Sequence, residues 1–218
     1  MSLSPAFILS GLLAAPAFAA AATPPIDLTV LPGLALSASS CYLSACDQPG
    51  PFTAANAIDK QSYVPSSVNS HGWNAGDYGS PGDPNWLRLD FGSVYQLASV
   101  RLEFIDGRGS YQGYNNIYQL RASTDGVNWQ TLADGTLTDL TGNLEAITDV
   151  YSWSGTAAPV ARWLEYRVVG GTHWSALGEI GATGTLYTAA VPEPTTAVLT
   201  LAGLLAVGLL ARRRGPRA

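Results

Sequence analysis

Apolar and polar residues alternate through the middle of this chain. In Trp86–Gly92, Leu87, Leu89 and Phe91 fall on one face, and Trp86, Arg88 and Asp90 on the other. Ser99–Phe104 repeats the pattern with Val100, Leu102 and Phe104 inward. Tyr118–Ser123 does so with Tyr118, Leu120 and Ala122, and Trp163–Val168 with Leu164, Tyr166 and Val168. A period of two marks a strand with one buried face. Asp125-Gly126 is a turn signal, joined by Asn128, and Trp129 opens the next strand. Gly and Pro punctuate the gaps, and no stretch carries a helical period with caps. The pattern predicts an all-β sandwich. Trp86 and Trp129 are expected to pack on the sheet face. Arg88 and Asp90 share that face, where they are either solvated or paired with Arg101 or Glu103 of a neighbouring strand.

The two ends follow a different pattern. From Ala197 to Ala211 there is no charge, and Arg212, Arg213 and Arg214 follow at once. As a helix this run is roughly 22 Å long, and Thr195 and Thr196 extend it towards a membrane span. Flanking arginines stay on the cytoplasmic side, which places the body of the protein outside. At the other end, Ala6–Ala15 is apolar and Ala17-Phe18-Ala19 supplies an A-x-A cleavage pattern. Residues 1–22 are therefore expected to be a signal peptide, although no Lys or Arg precedes the apolar core.

Val191-Pro192-Glu193-Pro194, the short apolar helix and the arginine cluster together resemble the PEP-CTERM sorting signal, over residues 191–218. The resemblance implies a Gram-negative bacterium that makes extracellular polysaccharide. It also implies an exosortase, a membrane protease-transpeptidase that cuts near the Pro-Glu-Pro. The inner membrane would hold the chain only transiently, and the product would reach the cell surface or extracellular matrix. Proline lacks an N–H and restrains its predecessor, so Pro192 and Pro194 keep this approach extended and open to a protease.

Without both signals, residues 23–193 carry seven Lys and Arg against sixteen Asp and Glu, a formal charge of −9. That excess, with no basic stripe to neutralise phosphates, argues against nucleic acid as a partner. Two cysteines, Cys41 and Cys46, stand five apart, outside the common zinc spacings and with no histidine nearby. In an oxidising compartment a local disulfide is the expected state; two unpaired thiols are the alternative.

Four segments in order carry a second resemblance: "AANAIDK" (54–60), "NWLRLDFGSVYQLASVRLEF" (85–104), "YQLRASTDGVNWQTL" (118–132) and "ARWLEYRVVGG…SALGEIGATG" (161–184). Together they resemble the discoidin domain, the coagulation-factor C-type, galactose-binding-like jelly roll. The expected domain is a discoidin-like β-sandwich over residues 26–190. The family implies a binding module, commonly for sugars and sometimes for lipid head groups or proteins, and not usually a catalyst.

In sugar-binding members the ligand lies in loops at one end of the sandwich. Sugar recognition needs a ring for the C–H face and planar polar groups for the hydroxyls. Three loops offer that mix here. The 61–85 loop carries His71, Trp73, Asn74 and Tyr78, the 106–116 loop Arg108, Tyr111, Tyr114 and Asn115, and the 170–176 loop His173 and Trp174. Long loops in compact domains are often functional. The expected ligand site is His71, Trp73, Asn74, Arg108 and Tyr111, although each ring could instead pin its own loop. No cofactor is required. The resemblance allows a structural calcium ion at Asp59 and Glu179, but "KQS" stands where the family carries a further acidic residue.

Nucleophile elbows, H-E-x-x-H, phosphate-cradling loops and His/Cys clusters are absent from the sequence. The two histidines lie 102 residues apart. The expected function is non-catalytic binding of extracellular polysaccharide by an exported, exosortase-processed protein. The alternative is a structural or adhesive matrix protein that binds protein partners, and the remote one is a glycoside-acting enzyme.

Overall fold

The computed structural model describes residues 23–43, 45–61, 72–104, 115–138, 147–172, 174–188, 200 and 203–205. Its organising element is one 20-residue strand, β4 (Asn85–Phe104). The sequence suggested two strands here, separated near Gly92. The backbone instead stays extended past that point, with Gly92 in the left-handed region (φ 75°) and the register against β8 (Val160–Gly171) broken between Asp90 and Tyr95. A bend at such a break lets one strand serve two layers.

The first half of β4 pairs with β8 and with β2 (Ala35–Ala38). Beyond β8 lie β5 (Asn115–Ser123) and β6 (Gln130–Thr138). The second half pairs with β7 (Ile147–Ser152) and with β10 (Glu179–Leu186), whose far edge holds the short β1 (Ile26–Asp27). All these pairings are antiparallel.

The inward residues read from the alternation form the core. Leu87, Leu89, Phe91, Val100, Leu102, Phe104, Tyr118, Leu120, Ala122, Leu164, Tyr166 and Val168 are all buried in one cluster. Each fully buried Leu contributes about 1.5–3 kcal/mol of transfer free energy. At its centre Phe104, Tyr118 and Tyr166 pack with ring centroids 5.1–6.1 Å apart. The Tyr118 hydroxyl meets the Asp149 carboxylate and the Tyr151 hydroxyl, which satisfies a polar tip inside the sandwich.

One sequence expectation changes here. Arg88 and Asp90 do not reach Arg101 or Glu103. Arg88 donates to Glu165 (2.5 Å) and Arg162 pairs with Asp90 (2.8 Å), while Arg101 and Glu103 pair with each other. The cause is the layer switch in β4: Arg88 and Asp90 belong to one layer, Arg101 and Glu103 to the other. The 124–128 turn, by contrast, is built by the residues read for it. The Asp125 carboxylate accepts from the backbone N–H groups of Val127 and Asn128. These bonds and the Asn128 amide hold its carboxyl well below the usual range, chiefly through the Asn128 side chain.

Candidate functional site

The end of the sandwich opposite β1 is built from non-local loops. β3 (Trp73–Asn74) pairs with β9 (Ala176–Leu177) to form a two-stranded sheet there. The Cys41–Cys46 disulfide, with Cα atoms 5.2 Å apart, clips the neighbouring loop. That loop is fastened to β3 by the Tyr42 N–H, which donates to the Asn74 carbonyl (2.7 Å).

This arrangement corrects the expectation for Trp73. Its ring is fully buried, meets Tyr166 edge-on at 6.3 Å, and donates from Nε1 to the Ser40 carbonyl (2.9 Å). The residue is core, because pairing with β9 draws it inward from a loop-like sequence. Asn74 is also buried, and its Oδ1 accepts from the Gly76 N–H (2.7 Å), so it shapes the turn and does not present its amide to solvent. His71, Arg108 and Tyr111 lie outside the described residues, as do Tyr114 and His173.

Other rings take the exposed positions. Trp174 is 44% exposed and stacks on Tyr42, with centroids 5.4 Å apart and planes 30° apart. Phe52 also packs on Tyr42, tilted at 5.7 Å, and Tyr78 is exposed nearby in sequence to β3. Trp174 was among the loop aromatics noted in the sequence, but Tyr42 was not. Its role depends on the disulfide-clipped loop crossing to β3 and the 172–176 segment, which no local pattern reveals.

The two acidic residues named for a cation do come together. Asp59 shapes its own turn by accepting from the Gln61 N–H (2.8 Å), and its carboxyl is hydrogen-bonded to that of Glu179. Burial first, then the hydrogen bond and charge of Asp59, push the Glu179 carboxyl up to about 8. Its Oε1 is buried with no hydrogen-bond partner among the described residues. Lys60 sends its ammonium to Asp27 (3.1 Å), and it lowers the Glu179 pKa only at a distance. Two adjacent carboxylates with an unsatisfied oxygen fit a hard, oxygen-ligated ion. No group of three or more acidic, His or Cys ligands occurs among the described residues, so backbone carbonyls would complete the shell.

The raised Glu179 pKa has a measurable consequence in metal-free buffer. The folded chain holds a proton there that the unfolded chain releases near the ordinary value of 4.5. Stability should therefore fall as pH rises from about 4.5 to about 8, and then level off. The loss should be on the order of a few kcal/mol. Thermal unfolding with a chelator should show a higher Tm at pH 5 than at pH 8.5, and Glu179→Gln should remove most of that difference.

With this geometry in view, comparison with known proteins assigns the fold. The profile of the F5/8 type C domain matches residues 35–180, and the chain belongs to that family. The PEP-CTERM protein-sorting motif matches residues 190–214 and marks the chain for export and exosortase-dependent surface sorting. No curated protein sequence matches this chain.

Among solved structures, a fucolectin from striped bass (Morone saxatilis) serum aligns with a TM-score of 0.51 and 14% identity, over 75% of this chain and 50% of that one. The family 89 glycoside hydrolase of Clostridium perfringens aligns at 0.50 and 18% identity, over 77% of this chain but 16% of the enzyme. CpGH89CBM32-5 from the same organism, solved with GalNAc-β-1,3-galactose, aligns at 0.48 and 16% identity, over 68% and 94% of the two chains. The first two similarities establish the sandwich architecture. This chain spans only a small part of that hydrolase. Among the described residues no helix is long and apolar enough to cross a membrane; in the C-terminal segment Thr200 and residues 203–205 are helical.

Proposed function

We propose that this is an exported, exosortase-processed surface or matrix protein whose sandwich binds extracellular polysaccharide without catalysis, at the loop end. The observation that carries the reading is the exposed Trp174 ring stacked on Tyr42. A ring already immobilised by a neighbour offers a flat apolar surface to a pyranose face at little entropic cost. Tyr78 supplies a further ring with a polar tip. His71, Arg108 and Tyr111, outside the described residues, are the further candidates for the hydroxyl contacts. A structural calcium ion at Asp59 and Glu179 is part of the proposal. Its chemistry there would be charge neutralisation between the two carboxylates.

The test is a glycan array probed with the exported protein, with and without calcium. Trp174→Ala should weaken binding to the best sugar at least tenfold, or ~1.4 kcal/mol. It should leave Tm within a few degrees, because the ring is half outside the fold. Calcium should raise Tm at pH 8.5 and leave Glu179→Gln unmoved. Wild-type strength in a folded Trp174→Ala protein would move the site away from this end.

A further inference from the structure

The outer face of the β2–β4–β8–β5–β6 layer carries a pattern the sequence scatters over 80 residues. In register across the strands, Arg88 stands opposite Glu165, and Glu165 opposite Arg121. One step along, Trp86 stands opposite Arg167, and Arg167 opposite Gln119. One step the other way, Asp90 stands opposite Trp163. Four of the seven cations of residues 23–193, Arg88, Arg121, Arg162 and Arg167, therefore lie on β4, β5 and β8 of one layer.

Three of the four guanidinium groups, those of Arg88, Arg121 and Arg162, lie over rings. Arg88 lies 4.0 Å from the Trp86 centroid and 5.0 Å from that of Trp129. Arg121 lies 5.3 Å from Trp129, and Arg162 lies 4.1 Å from Trp163. Three carboxylates stand on the same face as the four cations, one of them Asp134 of β6, which accepts from the Gln119 amide (3.0 Å) and pairs with no arginine among the described residues. Asp90 takes Arg162, and the fully buried Glu165 is shared by Arg88 and Arg121. Arg167 has no carboxylate within ion-pair distance among the described residues, and its Nε is buried with no hydrogen-bond partner among them. The face thus keeps an excess of positive charge on a chain that is otherwise acidic. Burial above all, and then the charges of Arg167 and Arg88 against the opposing Glu165, hold the Arg121 pKa below its ordinary value.

The surface is also shaped to receive something. Trp129 forms a ridge between two recesses. One, of about 240 Å³, is floored by Arg88, Asp90 and Trp163; the other, of about 360 Å³, by Gln119, Arg121 and Arg167. From Trp163 to Arg167 is ~13 Å along β8, a run longer than a single sugar ring. A planar guanidinium whose Nε is already buried, as that of Arg167 is, pairs with a carboxylate at little further loss of rotamer freedom.

We propose that this sheet face is a second carbohydrate-binding surface, specific for an acidic polysaccharide, with Arg167 pairing a uronate carboxylate beside the Trp129 ridge. It rests on the carbohydrate-binding reading only for the class of polymer, and it uses none of the loop-end residues. The chain's overall negative charge repels polymers of high charge density and favours sparsely spaced carboxylates.

The experiment measures binding of the full chain, kept in nonionic detergent, to polygalacturonate and to the same polymer with its carboxyls reduced to alcohols. The wild type should hold the acidic polymer at least tenfold more tightly than the reduced one, and less tightly as salt rises. Arg167→Gln should lose at least tenfold on the acidic polymer, and Trp174→Ala should lose nothing there. Thr131→Glu places a negative charge at the exposed rim of the second recess without touching the core, and it should give the same loss if Arg167→Gln folds poorly. Equal binding of the two polymers by the wild type, or full binding by both face variants, overturns the proposal. Loss of array sugars in Trp174→Ala alone concerns the loop end and leaves this result independent.

Discussion

Trp73→Ala is expected to destabilise the protein by about 3–5 kcal/mol, the usual cost of deleting a large core ring and leaving a partly collapsed cavity. The indole is fully buried against Tyr166, and its N–H satisfies the Ser40 carbonyl. The substitution removes packing and a hydrogen bond together. It also loosens β3, the only tie between the 72–84 loop and β9 by strand pairing among the described residues. Urea unfolding of the exported protein measures the effect as a lower midpoint at similar slope. Trp73→Phe should recover part of the loss, since it keeps a ring but leaves Ser40 without its donor. A midpoint unchanged in the alanine variant would mean that the ring does not support the core.

Replacing Pro192, Glu193 and Pro194 together with alanine is expected to have an equally large effect on processing, through a different cause. The sorting motif spans residues 190–214, and the substitution leaves the apolar run and the arginines Arg212, Arg213 and Arg214 in place. Anchoring should survive while cleavage fails, because the extended approach no longer exists. Fractionation should show the variant almost wholly in the membrane pellet at its uncut mass, with the wild type as a shorter product. A variant processed like the wild type would mean that the tripeptide is not what the protease reads.

The strands that alternate cleanly were legible because one face of each is buried and the other is not. Leu87, Leu89 and Phe91 announce their layer, as do Leu164, Tyr166 and Val168. β10 was harder to read because Gly181 and Gly184 interrupt its pattern. Gly184 has a packing reason: a Cβ there would stand 2.6 Å from the Gln96 carbonyl oxygen. The loop end was legible as a place but not in its members. Trp73 and Trp174 both occur in Gly- and Ser-rich contexts, and only the pairing of β3 with β9 decides that one is core and the other exposed. The Arg–Trp face illustrates the same limit. Each strand shows one or two charged positions on its outer face, which read as solvated. Register across β4, β8 and β5 turns them into one surface.

The course of β10 also sets a direction in space. The strand leaves the loop end at Glu179, one residue past β9, and runs its eight residues to Leu186 beside Tyr95, at the far end of the sandwich. That is ~26 Å of travel away from Trp174. From Leu186 to Ala197, where the apolar run begins, the chain can span up to ~38 Å. The sorting motif is therefore attached to the end of the sandwich away from the stacked Tyr42 and Trp174 rings, and leaves that end uncrowded.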